Sequence, residues 1–208
     1  MRLILPRTVF LLLAPVFLAL VVVRVPQTYA ADPAQSSRTK IKMLTPFGVK
    51  GLSEELQITD KVSGKCFAAS AASSMRPDAW RCSAGNAILD PCYQRILGDE
   101  KQLACPVEGP WSQKMILLTI TEPMPTEPRK KTPSETALPW ALDLANGKRC
   151  SLFTGVTAPV AGMRINYGCP GGFQVVGDID RSASTWRIFL QAENSSVLEQ
   201  VDIAVEWY

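Results

Sequence analysis

Histidine is absent from all 208 residues, which removes Ser-His-Asp and Cys-His mechanisms and histidine-ligated zinc from consideration. What remains is carboxylate, serine-lysine and cysteine chemistry. Two acids, Asp178 and Asp180, follow Gly177 and precede Arg181, the most suggestive pair for the two-carboxylate chemistry of glycoside hydrolysis. The plainer reading is stronger: acids at a strand end satisfy turn amides, and Arg181 stands ready as their charge partner. Calcium needs a third ligand and a fixed glycine that this stretch lacks. Ser37 and Lys40 have the S-x-x-K spacing of penicillin-recognising enzymes, but they sit in a polar lead without the S-D-N and K-T-G partners. No catalytic residue, metal or cofactor is assigned.

The six cysteines, Cys66, Cys82, Cys92, Cys105, Cys150 and Cys169, read as three disulfides. Metal binding would want close C-x-x-C pairs and histidines, and neither is present. Aromatic side chains offer a different function, since Trp111, Trp140, Tyr167 and Trp186 could stack on a glycan or peptide. Strand tryptophans more often fill a core. Candidate ligand-binding residues are therefore Asp178, Asp180, Arg181, Trp140 and Tyr167.

The N-terminus explains why disulfides are expected. Arg2 and Arg7 precede an apolar run from Val9 to Val23, and a short polar stretch then ends in Thr28 and Ala30. This is the order of a secretory signal peptide, with cleavage after Ala30. The run is shorter than the roughly 20 residues a membrane-spanning helix needs. An uncleaved N-terminal anchor is the alternative. Arg2, Arg7 and Arg24 account for the whole excess of 22 basic over 19 acidic residues, so residues 31–208 are neutral. Such a surface argues against a nucleic-acid partner, which requires clustered cations.

The elements that must position these residues are mostly strands. Residues 31–46 read as a flexible lead, with order beginning near Phe47 and a single domain over 47–208. Leu56 to Thr59 predicts a strand. Pro77 and Asp78 followed by Gly85 and Asn86 predict a short helix pinned by Cys82. Asp90-Pro91 predicts a break. Leu103–Val107 and Met115–Thr121 predict strands around Gly109-Pro110. Residues 122–137 hold four prolines and the cluster Arg129, Lys130 and Lys131, and read as a protruding loop. Asn146-Gly147 is a strong hairpin signal between Trp140–Leu144 and Arg149–Phe153. Met163–Tyr167 with Phe173–Val176, then Thr185–Gln191 with Val197–Trp207, make two further hairpins. In the last strand Val201, Ile203, Val205 and Trp207 alternate with Asp202, Ala204 and Glu206, which puts Glu206 on the outer face. Tyr208 is then in phase with Glu206 and Asp202, the wrong register for the terminal aromatic of an outer-membrane barrel. The fold class is mainly β with minor α: an antiparallel meander of hairpins and a small disulfide-stabilised N-terminal helical part. Cys150 lies on the second strand of one hairpin and Cys169 at the end of the next strand, so these two are expected to pair. The other four then pair among themselves.

Taken together, Asp78 to Cys82, Gly85-Asn86, Asp90 to Cys92, Trp140 to Leu142, Asn146 to Cys150, Asn166 to Cys169, and Gly177 to Arg181 with Trp186 resemble a group of exported, actinobacteria-like bacterial proteins with a six-cysteine pattern. The resemblance implies a secreted or surface-exposed domain and carries no catalytic residues. The expected function is non-catalytic binding of an envelope component or protein partner outside the cytoplasm. A carboxylate-dependent cell-envelope hydrolase is the alternative.

Overall fold

A computed structural model describes residues 38–126 and 137–208. The signal peptide over 1–30, the start of the lead, Ser37 and the proline-rich stretch at 127–136 lie outside the described residues.

Fifteen strands and no helix make up the described chain. Five of them, β4 (Gln57–Ala69), β5 (Ala79–Ala84), β6 (Ala87–Gln94), β7 (Gln102–Pro106) and β8 (Lys114–Ile120), close into a barrel. Neighbours are antiparallel except at the seam, where β4 runs parallel to β8. β4 serves both edges because its first half pairs with β8 and its second half with β5. β4 and β5 approach closely where β4 changes partner because residue 64 is glycine: a Cβ there would lie 2.1 Å from the Ser83 carbonyl oxygen.

The predicted helix over Pro77–Asn86 is instead strand β5, hairpinned to β6. Two local cues for the helix serve other purposes. Gly85-Asn86 is a two-residue hairpin loop, with Ala84 opposite Ala87 and Gly85 at a φ of +57°. Asp78, expected as a helix-start acid, clamps Arg76 through two hydrogen bonds of 2.8 and 2.7 Å. The break expected at Asp90-Pro91 does not occur either. β6 runs through this cis-linked pair because the pair falls in a register shift, where Trp80 faces Cys92 and Cys82 faces Leu89. A proline without an N–H to give is tolerated at such a bulge.

The remaining strands are β9 (Ala141–Leu144), β10 (Arg149–Leu152), β11 (Pro159–Val160), β12 (Met163–Gly168), β13 (Gln174–Asp180), β14 (Arg187–Gln191) and β15 (Leu198–Trp207). The three predicted hairpins are all present. They do not stay an open meander, because the second half of β15 pairs back onto β9 and closes a second ring, with β11 added beside β12. Order also begins before Phe47: β1 (Lys40–Lys42) adds in parallel to the end of β15, and the buried Thr39 hydroxyl donates to the Ile203 carbonyl at 2.7 Å. Between β1 and the first barrel stands a small separate hairpin, β2 (Phe47–Gly48) with β3 (Gly51–Leu52).

All three disulfides tie neighbouring antiparallel strands. Cys66–Cys82 joins β4 to β5, Cys92–Cys105 joins β6 to β7, and Cys150–Cys169 joins β10 to the end of β12. The first two lie in the first barrel's core with Trp80, Leu103 and Leu118. The third lies in the second core with Leu142, Tyr167, Val175, Ile188 and Ile203.

Candidate functional site

Asp178 and Asp180 share the outer face of β13, while Ile179 between them points into the core. Both are exposed. Asp180 caps its own turn, where the hydroxyl and amide of Ser182 hold its carboxyl below the usual carboxylate range. Arg181 does not serve as their charge partner. Its guanidinium turns inward to Glu206, with Nη2 3.0 Å from Oε1, and lies over the Trp186 ring.

Glu206 is fully buried, contrary to its expected outward position. The cause is a register shift between Ile203 and Val205 as β15 leaves β14 and pairs with β9. One extra residue exchanges the two faces of a strand from that point onward. Glu206 and Tyr208 thereby enter the interior. The Tyr208 hydroxyl donates to Glu206 Oε2 at 2.9 Å, and Arg181 also donates to the Ala137 carbonyl at 3.2 Å. Burial raises the Glu206 carboxyl above its ordinary value, against the pull of Arg181 and Tyr208. Tyr167, fully buried, donates to the Pro139 carbonyl at 3.0 Å, and burial together with the charge of Glu206 raises its hydroxyl. The structure thus brings Arg181 and Tyr167 to one buried network, where the polar groups serve one another.

Trp140 is buried too, edge-on to Tyr93 at 6.4 Å between ring centres. It joins the two barrels and offers no face to a ligand. Trp111 is likewise engaged within the protein, since its indole N–H and that of Trp207 donate to the two oxygens of Asp143 at 2.5 and 3.1 Å. Asp90, another enclosed carboxylate, accepts from the Ser70 hydroxyl at 2.5 Å and the Ala71 amide at 3.2 Å. Burial raises its carboxyl despite those bonds. Each of these enclosed carboxylates thus has its own donors, and Asp178 and Asp180 lie on open strand surface.

The notable concave surface lies elsewhere. A groove of about 460 Å³ runs between the β2–β3 hairpin and the end of β6. That is within the range of roughly 300–1,000 Å³ usual for ligand sites. Phe47, Val49, Ile96 and Leu97 supply its apolar walls; Val49, Ile96 and Leu97 are 82, 67 and 59% exposed. Its more buried lining is Arg76, Asp78 and Tyr93. Arg76 donates to the Leu44 carbonyl at 2.7 Å and lies over the Tyr93 ring, while burial pushes the Tyr93 hydroxyl up to about 12. Hydrogen bonding to Asp78 raises the Arg76 guanidinium. Arg95 also lines the groove. It is partly buried, its Nε has no hydrogen-bond partner, and no carboxylate lies within ion-pair distance of it among the described residues.

None of these groove residues stands out in the sequence. The available signal is weak: an apolar pair, Ile96-Leu97, in an otherwise polar connection, and Val49 amid turn residues.

The described chain is thus a β protein of two closed sheets, each with its own core, two disulfides in the first and one in the second, carrying an apolar groove beside a small hairpin. No family model matches it, and neither a curated protein nor a solved structure shows significant similarity to it. Among the described residues no helix is long and apolar enough to cross a membrane. The three disulfides are consistent with an extracellular protein.

Proposed function

We propose that this chain is an exported, non-catalytic binding domain that holds a protein or cell-envelope partner in the groove beside the β2–β3 hairpin. The observation that carries the reading is the rim. Val49, Ile96 and Leu97 expose apolar surface around one concavity, and clustered exposed apolar side chains bordered by polar ones mark interaction sites. The hydrolase alternative has less support, since the enclosed carboxylates are committed to structural donors and the outward acids lie on open strand surface.

Export follows from the N-terminal pattern, with the mature chain starting at Ala31, as in the exported six-cysteine proteins the sequence resembles. Intact-mass measurement of protein recovered from the medium or envelope tests it: the expected species begins at Ala31. A membrane-anchored species retaining Met1 would overturn it. For the groove, the purified protein is used to capture partners from envelope extracts, alongside the variant V49D/L97D. The expected result is a retained component that the variant loses while keeping its unfolding midpoint. Equal retention by both proteins would refute the groove.

A further inference from the structure

Arg95 separates this groove from a purely apolar one. Its guanidinium spans the gap between barrel and hairpin: a Cβ at Gly98 would sit 2.9 Å from its Cζ, and one at Gly51 would sit 3.6 Å from Nη2. Gly98, at a φ of +102°, thus lets the chain fold closely around the guanidinium. The neighbouring cation, Arg76, is neutralised by Asp78 at 2.7 Å. Arg95 has no such ion-pair partner among the described residues, so the groove carries one uncompensated positive charge beside its apolar walls. The hairpin adds a further feature. β2 pairs only with β3 among the described residues, which leaves its other edge without a strand partner, and residues 45–49 line the groove.

Resting on the binding role proposed above, we infer that the groove takes an extended peptide segment of a protein partner, whose apolar side chains pack on Phe47, Val49, Ile96 and Leu97 while a carboxylate of the same segment meets Arg95. Strand edges recognise extended peptides through the backbone, with side-chain pockets giving specificity. An arginine fork is the natural receptor for a carboxylate. An acyl chain would be better served by an enclosed cavity, whereas the apolar surface here lies at an exposed rim.

The test uses the purified, disulfide-bonded protein and an array of labelled pentapeptides with Val, Leu or Phe at the flanking positions and Asp or Asn at the centre. Binding is read by fluorescence anisotropy and mapped by amide chemical shifts. The expected result is shifts confined to residues 45–49 and 93–98, with Asp peptides binding about tenfold more tightly than their Asn counterparts, the scale of one charge-assisted contact. R95Q should abolish that preference by weakening the Asp peptides much more than the Asn peptides, R95K should retain part of it, and V49D should weaken both series.

Equal binding of Asp and Asn peptides in the groove would overturn the carboxylate inference and leave the binding role standing. So would a loss of affinity in R95Q that is the same for both series. Binding of dodecanoate at these residues with no peptide bound would overturn the peptide class. Absence of any peptide binding, with an envelope partner still lost by V49D/L97D, would refute this inference alone.

Discussion

Replacing Arg181 by methionine would remove the only cation in ion-pair contact, among the described residues, with the fully buried Glu206 while conserving much of the side-chain volume. Leaving one partner of a buried pair uncompensated typically costs about 3–5 kcal/mol. Among the described residues Glu206 would keep only the Tyr208 hydroxyl at 2.9 Å. The Arg181 side chain is itself 18% exposed, so modest water access places the expected loss at pH 7 toward the lower end, about 3 kcal/mol. That is a large part of the roughly 5–15 kcal/mol available to such a domain.

The loss should depend on pH in a definite direction. The folded protein holds the Glu206 carboxyl above its ordinary 4.5, so the folded state binds more protons than the unfolded one over the interval between the two values. Its favourable contribution is complete below the unfolded value and is lost as pH rises through the folded one. Removing Arg181 raises the folded value further and enlarges that loss. Urea denaturation followed by tryptophan fluorescence should therefore show the R181M deficit shrinking to about 1 kcal/mol at pH 4, the residue of lost packing. E206Q, which mimics the protonated form, should stay within about 1 kcal/mol of the native protein at pH 7. A deficit for R181M below about 1 kcal/mol at pH 7, or one equal at both pH values, would refute the argument.

Replacing Cys150 and Cys169 together by alanine opens a bridge of sequence separation 19 and should cost about 3 kcal/mol by denaturant titration. Non-reducing peptide mapping of the native protein should link Cys150 to Cys169, Cys66 to Cys82 and Cys92 to Cys105. G64A forces a methyl group against the Ser83 carbonyl oxygen and should lower stability by about 2–3 kcal/mol, read as a fall in the unfolding midpoint. D143A leaves the indole N–H groups of Trp111 and Trp207 without their acceptor and should cost about 2 kcal/mol, less than two buried charged hydrogen bonds because the Asp143 side chain is 24% exposed. Tryptophan emission of that folded variant should also shift relative to the native protein.

The sequence by itself determined the elements whose signals are local. Asn146-Gly147 closes a hairpin wherever the flanking strands lie, and the alternation of Val201 and Ile203 with Asp202 marks a half-buried strand. The Cys150–Cys169 pairing was legible for the same reason, since that bridge joins strands of successive hairpins, whereas the pairing among Cys66, Cys82, Cys92 and Cys105 was decided only once Cys82 lay on a strand between β4 and β6. Pro77, Asp78 and Gly85-Asn86 show where local signals mislead: the same residues suit a helix's ends or a salt bridge and a hairpin loop. Pairing across β4, β5 and β6 selected the second outcome. Tertiary structure alone decided the closure of the two rings, because the pairings of β4 with β8 and of β15 with β9 join residues far apart in the chain. It also decided the faces beyond each bulge. The shift between Ile203 and Val205 inverted the alternation, buried Glu206 and turned Arg181 from Asp178 and Asp180 toward it. A register shift leaves no mark in composition or period, because it arises where one strand exchanges partners. The groove has the same origin: Phe47, Val49, Arg95 and Leu97 are ordinary residues in two separate parts of the chain, and only the packing of a two-strand hairpin beside a barrel places an uncompensated guanidinium among exposed apolar side chains.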